Sequence, residues 1–453
     1  MKKEMTSSSE KLQQSIKKIA TALSKYDKGF HINIQRQPKA LAMTLKPQPE
    51  GLRLPLTVSL LPLLGSYASD VVVEYVDGKQ MSLDLMAIIV ANQSGSKGAC
   101  RDVQNLWLAP MRREDGPARI QEERMRKKNK GRKASERAEE DPGVVIREVP
   151  ITISNATLLR RLKNAKGKAL YSFGEELDTL AKTNKAGAWS QKTDCYRLAF
   201  DRGIWGQDFN SDQSESGMVQ VAYNWTVCGT FGSLRRFFNQ DNVENGLAGR
   251  VIPSETPNQA FSPMPKFKPF PSGTEEAIDE TVARLQSLHG FIDTPKLRKT
   301  IEGWCELKRL EALADGDESK DILRRRSAVI GFRAGVIHHL LTGNDTESNA
   351  SLDFALLIAE YCLQEQMRLW GAQLKAALNE NIQPAIYEGC NVRLFDQLPE
   401  IFTLGELGTL KGKDHKESTL RTIVYRWRQT GWIINLEKGQ YKKVKPSNPS
   451  QPC

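Results

Sequence analysis

Residues Met86 to Arg101 read M-A-I-I-V-A-N-Q-S-G-S-K-G-A-C-R. The apolar run from Ala87 to Val90 predicts a buried strand. A loop of small residues follows, then Lys97, then an amphipathic stretch to Leu108 that predicts a helix. Strand, small-residue loop, lysine and helix is the order of a phosphate-binding P-loop. Small residues let successive backbone N–H groups curl round a polyphosphate, the helix N-terminus adds positive potential, and the lysine reaches the outer phosphates. The expected phosphate ligands are Ser94, Gly95, Ser96, Lys97 and Gly98. Against the pattern G-x-x-x-x-G-K-[ST], Ala91 and Ser96 stand in the two glycine positions and Gly98 in the hydroxyl position. Lys97 alone is unaltered. The alternative is a strand–turn–helix connection with an exposed lysine.

A second signal lies downstream. Ala169 to Asp178 reads A-L-Y-S-F-G-E-E-L-D, a predicted strand that runs into adjacent acids. In an ATPase, Glu175 would hold Mg²⁺ through water and Glu176 would orient the attacking water, with Asp178 behind them. The alternative is an acidic helix start, favourable through the helix dipole alone. Met218 to Cys228 predicts another strand, with Thr230 just beyond it placed to sense a γ-phosphate and Asn224 as second choice. Arg250, on a Gly-flanked segment before a strand, suits an arginine reaching a neighbouring subunit's phosphate. A structural salt bridge is its other reading. Between these signals, Trp189, Arg197, Phe200, Arg202 and Trp205 interleave aromatics with arginines. That pattern can hold single-stranded nucleic acid, or simply pack.

The 453-residue chain carries a net charge of +11, which favours a polyanionic partner, nucleic acid first. Its seven cysteines are scattered without a C-x-x-C, against a zinc module or a disulfide framework and for a reducing cytoplasm. The polar start lacks a signal-peptide core, and the apolar run Leu54–Leu64 is too short to span a bilayer, so no membrane partner is expected. The expected organisation begins with an N-terminal helix and connector (1–50) and an NTPase core (51–252) with a charged insertion (111–142). A Pro-rich linker (253–274) and a helical domain (275–395) follow, in which Arg333, His338 and His339 belong to the edge of the core. A winged helix-turn-helix (396–446) and a disordered tail (447–453) complete the chain.

The winged-helix reading rests on order. A helix entered through Thr403 precedes a basic helix from Ser418 to Gln429, and two short strands follow around Lys438-Gly439. Ile423 and Trp427 would face the core. Arg421, Arg426 and Arg428 on the second helix, with Lys442 and Lys443 on the wing, would contact DNA.

Five further segments, with the P-loop stretch A-N-Q-S-G-S-K-G at 91–98, carry a resemblance. They are Tyr75-Val-Asp-Gly78, F-G-E-E-L-D-T-L at 173–180, Ala199-Phe-Asp-Arg202, E-N-G-L-A-G-R-V at 244–251 and R-W-R-Q-T-G-W-I at 426–433. Together they resemble a helicase-like P-loop ATPase family of bacterial mobile elements, often associated with primases. The resemblance implies an α/β fold with a RecA/AAA-like P-loop NTPase core, a helical region and a C-terminal winged helix-turn-helix. It also implies ATP and Mg²⁺ as cofactors, phosphate binding by Lys97, metal and water roles for Glu175 and Glu176, and a finger role for Arg250. An ATP-dependent helicase or translocase acting on DNA as a homo-oligomer, with a primase as a further partner, is the resulting expectation. A non-catalytic DNA-binding replication accessory with a vestigial nucleotide site is the alternative, and a defence ATPase a third.

Overall fold

The computed structural model describes residues 2–92, 96–130, 141–180, 192–208, 215–382, 391–411, 417–429, 432–436 and 439–444. They form two compact units, Met1–Ala377 and Leu378–Cys453. The protein is α/β, mostly helical, around a parallel four-stranded sheet. Among the described residues no helix is long and apolar enough to cross a membrane.

In the first unit, the antiparallel strands β1 (Val71–Glu74) and β2 (Gln80–Met81) flank a tight turn. Gly78 takes a φ of +79° there, and the Asp77 carboxylate accepts from the Lys79 amide. The chain then enters β3 (Met86–Val90), every residue of which is buried. An uninterrupted apolar strand is what a parallel sheet covered on both faces requires. The other strands of that sheet are β4 (Leu170–Gly174), β7 (Tyr223–Gly229) and β8 (Ile252–Glu255), in the order β4-β7-β3-β8. The stretch Val144 to Ser154, whose sequence predicts a strand, makes only a single bridge from Glu148 to Tyr171 on the outer side of β4. Two short strands, β5 (Ile204–Gln207) and β6 (Gly217–Gln220), form a separate hairpin, and β9 (Gly290–Phe291) joins β1.

Side-chain alternation on β7 assigns its two faces. Tyr223 and Trp225 meet Tyr196 of the helix Thr193–Phe200. Asn224 and Thr226 point the other way, to Ser66 and to the Ser59 carbonyl of the buried helix Arg53–Tyr67. Pro62 lacks an amide hydrogen and interrupts that helix's ladder. Nearby, the buried Ser59 carbonyl accepts from Gln104 at 2.6 Å and Thr226 at 2.8 Å. Gly65 lets the helix approach the segment leading into β3: a Cβ there would lie 2.3 Å from the Leu83 carbonyl oxygen.

The helix that follows β3 runs unbroken from Lys97 to Lys130, through Pro110 and Pro117. Its charged half is not simply a solvated face. Asp115 is buried and accepts from the amides of Arg147 and Glu148. Glu122, also buried, meets Arg161 at 2.6 Å, Arg160 at 3.1 Å and Arg126 at 3.2 Å. The remainder of the expected insertion, 131–140, lies outside the described residues.

The helices after the Pro-rich segment are Thr274–Ser287, Pro295–Asp315, Glu318–Thr342 and Asn349–Gln366, then a π turn at Met367–Gly371 and a helix Ala372–Ile382. Through Ala377 they belong to the same compact unit as the sheet rather than to a domain of their own. Arg333 donates to the Asp84 carbonyl at 2.6 Å, Gln366 to that of Val251 at 2.9 Å, and the hydroxyls of Tyr361 and Ser254 lie 2.8 Å apart. Gly331 and Gly335 allow the close approach of Ala359 and Ala355 on the neighbouring helix.

The second unit has three antiparallel strands, β10 (Ile401–Thr403), β11 (Ile433–Asn435) and β12 (Gln440–Lys443), in the order β10-β12-β11. Its helices are Asn391–Gln397, Leu404–Lys411 and Glu417–Gln429. The helix expected from Ile401 begins only after Thr403, whose hydroxyl accepts from the Glu406 amide while Glu406 reaches back. The residues before it pair with β12 instead. Phe402, Leu407, Ile423, Trp427 and Trp432 share the core.

Candidate functional site

Parallel strands present their loops at one edge, and ligands in such sheets bind beyond the strand C-termini. Here β3, β4, β7 and β8 deliver Lys97, Glu175–Glu176, Thr230 and Glu255 to that edge. The Lys97 ammonium lies 2.9 Å from Glu176 Oε1, across the end of the intervening β7. Arg101, one turn along the same helix, approaches Glu175 at 3.5 Å. Asp178 is held by both terminal and inner nitrogens of Arg236, at 2.7 to 3.1 Å. At the far side Arg368, from the π turn, pairs with Glu255 at 2.9 Å. The edge thus alternates four cations with four carboxylates, all partly open to solvent.

Of the expected loop residues, Ser94 and Gly95 lie outside the described residues. Ser96 takes a left-handed φ of +51°, and its hydroxyl accepts from Gln259 of the Pro-rich segment at 2.6 Å. Gly98 sits in the first helical turn with no hydroxyl to offer. Glu175 and Glu176 follow β4 directly, but it is Glu176, not Glu175, that meets the lysine. The Thr230 hydroxyl is spent on a capping box with Ser233 at the start of the helix Phe231–Phe237. Asn224 belongs to the other edge, where it accepts from the Leu85 amide and donates to Asp84.

Arg250 is not part of this constellation. It precedes β8, hence lies at the N-terminal edge, where it donates to the Gly246 carbonyl and leans on Asp201 at 3.5 Å. Burial and the neighbouring Arg326 push its guanidinium below the usual arginine range, against Asp201.

Several participants had no signal in the sequence. Arg101, Arg236, Gln259 and Arg368 come from four separate segments. Behind Lys97, the buried thiols of Cys100 and Cys228 meet. The Cys100 contact and burial push the Cys228 thiol well up, the Lys97 charge notwithstanding. Next to Thr230, a hollow of about 220 Å³ is lined by Phe231, Leu234, Phe238, Trp370 and Arg368, among others.

Among the described residues no three His, Cys, Asp or Glu side chains are grouped to hold a metal. Mg²⁺ retains several waters and is bound through one or two carboxylates plus phosphate oxygens. Glu175 or Glu176 could supply that one carboxylate.

In the second unit Arg421 and Arg428 are exposed, Arg421 pairing with Glu417 at 2.8 Å. The Arg426 side chain lies outside the described residues. Lys442 is half-buried on β12. Lys443 turns inward: its ammonium donates to the Leu398 carbonyl at 2.6 Å and lies over the Phe395 ring. It therefore serves the unit's own packing. No protein-family model matches this chain, and neither does any curated protein.

Proposed function

We propose that the first unit is a RecA/AAA-like P-loop nucleotide-binding core, that ATP with Mg²⁺ binds at the C-terminal edge of its sheet, and that the protein is a DNA helicase or translocase of a mobile element. The observation that carries this reading is the 2.9 Å approach of Lys97 to Glu176. A lysine after the first strand and an acid after the second meet across a third strand, so one triphosphate could touch both. Bound ATP would supply a phosphoanhydride for hydrolysis. Lys97 would exchange the Glu176 carboxylate for phosphate oxygens, and the freed Glu176 would then be available to orient water. An exposed ion pair is worth about 0–1 kcal/mol, so this exchange costs little. Glu175 is the carboxylate for the metal, and the hollow at Phe231 and Trp370 is the seat for the base. Arg250, far from this site in its own chain, could act only on a neighbour's nucleotide, in a homo-oligomer.

We read the second unit, with its three helices and three-stranded sheet, as a winged helix-turn-helix whose last helix carries exposed arginines and whose β11–β12 pair is the wing. DNA contact by Arg421 and Arg428, with Lys442 from the wing, follows from that reading, and a primase is the further partner suggested by the family resemblance. The test is phosphate release by the full chain with ATP and Mg²⁺, with and without DNA. Stimulated turnover that disappears in Lys97→Ala supports the motor. Turnover no greater than that of the variant ends it.

A non-catalytic DNA-binding accessory is the second reading. It is favoured by the hydroxyls at the site: Gly98 has none, Ser96 is held by Gln259 and Thr230 by its cap. Absence of any ATP-dependent rise in melting temperature selects it, because a ligand of the native state stabilises that state by mass action.

A further inference from the structure

The opposite, N-terminal edge of the sheet holds a cleft of about 610 Å³ whose charge is not balanced. Lys79, Arg202, Arg326 and Arg333 line it, against Asp77 and Asp201. The carboxylate beneath, Asp84, is already engaged by Arg202 and Ser82 at 2.5 Å and by Asn224 at 3.1 Å. Asp201 is shared at long range, 3.5 Å from Arg250 and 3.6 Å from Arg326.

Arg333 is the centre of the imbalance. Its residue is only 1% exposed, yet it lines the cleft. One Nη donates to a backbone carbonyl, that of Asp84, and its guanidinium lies 4.2 Å from the Phe200 ring centroid. Its Nε is buried without a hydrogen-bond partner among the described residues. A buried donor with no acceptor is unfavourable, and more so when it belongs to a charged group. Burial and the charges of Arg202 and Arg326 push this guanidinium down to about 10, although Asp84 and Asp201 oppose them. An anion in the cleft would offer an acceptor to a cation that now has only a carbonyl and a ring face.

We propose that this cleft binds the terminal phosphate of a small phosphorylated molecule, with Arg333 at its floor and Arg326, Arg202 and Lys79 at its walls. A planar guanidinium matches a phosphate through paired N–H donors, and several arginines suit a dianion. A terminal phosphate presents three oxygens to such a floor, whereas an internal phosphodiester presents two and carries chain on both sides. Tyr75, Ser82 and Gln220 supply polar contacts for the rest of the ligand. The site lies roughly 15 Å from Lys97, the length of β3 at about 3.3 Å per residue. It is independent of the nucleotide site.

The test is isothermal titration of the full chain with inorganic pyrophosphate at low salt, using wild type, Arg326→Ala, Arg326→Lys, Lys79→Ala and Lys97→Ala. Arg326 and Lys79 are solvent-accessible, so their variants should keep wild-type circular dichroism and melting. Binding in wild type and in Lys97→Ala, weakened at least tenfold in Arg326→Ala and partly restored by Arg326→Lys, supports the cleft. Loss in Lys97→Ala, or undiminished binding in both Arg326→Ala and Lys79→Ala, overturns it. So does absence of binding in wild type. A competition arm sets the ligand class. A 5′-phosphorylated dinucleotide should displace pyrophosphate, and equal displacement by its unphosphorylated counterpart would contradict terminal-phosphate recognition.

Discussion

Lys97 and Glu176, 79 positions apart in the chain, meet at 2.9 Å at the C-terminal edge of the central sheet. Both side chains are open to solvent, so the pair stabilises the fold by about 1 kcal/mol at most. Lys97→Ala is therefore expected to leave the urea midpoint nearly unchanged while removing the rise in melting temperature caused by ATP and Mg²⁺. Denaturation curves and nucleotide titrations of the same variant check both halves. A large drop in midpoint would make Lys97 a structural residue.

Glu122 has a different standing, because it is buried beside Arg161, itself almost fully buried. Burial raises its carboxyl, but the Arg161 hydrogen bond and the charges of Arg161, Arg126 and Arg160 outweigh burial and hold it below the usual range. A depressed carboxyl contributes stability above its unfolded value of about 4.3 and loses it as pH falls through the folded value. Glu122→Ala, which strands Arg161, should destabilise the first unit by about 3 kcal/mol at neutral pH and flatten the acid limb below about pH 4.3. Urea midpoints across pH 3 to 7 are the measurement, and an unchanged acid limb would contradict this account.

His338 governs a second, higher window. Its ring lies against Phe354 and its Nδ1 is 3.1 Å from the Ser351 hydroxyl. Burial lowers it to about 4, with His339 and Arg36 adding like charge against a backbone hydrogen bond that raises it. The unfolded ring takes a proton near pH 6.5 and the folded ring does not. Stability from the neutral imidazole is thus complete above about 6.5, falls between 6.5 and 4, and is level below, on the order of 3 kcal/mol in total. His338→Asn should remove most of that slope in pH-dependent denaturation.

What could be read in advance was local. The apolar runs of β3 and of the buried helix Arg53–Tyr67 announce themselves within a few residues, because period and burial act over short distances, whereas Ser154, read as the end of a strand, is the N-cap of the helix Asn155–Ala165. The convergence of Lys97 with Glu176 was legible as an expectation, since each follows the C-terminal end of its own strand. The arginine cleft was not. Arg202 lies more than a hundred residues before Arg326 and Arg333, which share the helix Glu318–Thr342, and each alone resembles any surface or core-edge cation. Strand β10 was missed for a related reason: Ile401-Phe402 carries the helix pattern of the residues that follow, and only pairing with β12 decides otherwise. Likewise the charge run after Asp115 reads as solvated until Arg147 and Arg161 are placed beside it.

In the second unit the roles of the basic residues separate experimentally. Arg421→Ala and Arg428→Ala should each weaken DNA binding and reduce the slope of log affinity against log salt by about one unit if each neutralises a phosphate. Lys443→Ala should leave that slope unchanged and lower the unit's melting temperature, because its ammonium caps the Leu398 carbonyl. Fluorescence anisotropy over a salt series, with thermal melts, distinguishes the two effects. A reduced slope in Lys443→Ala would show that its inward position is abandoned on DNA.

The helix that starts at Lys97 is about 50 Å long at 1.5 Å per residue. It is pinned twice: by Asp115 to the Arg147–Glu148 backbone and by Glu122 to the Asn155–Ala165 helix through Arg160 and Arg161. A shift at its first turn cannot dissipate as free swinging of a loose rod. It is passed through buried contacts to the segment leading into β4, which precedes the loop that bears Glu175 and Glu176, so the two halves of this sheet edge share one mechanical anchor.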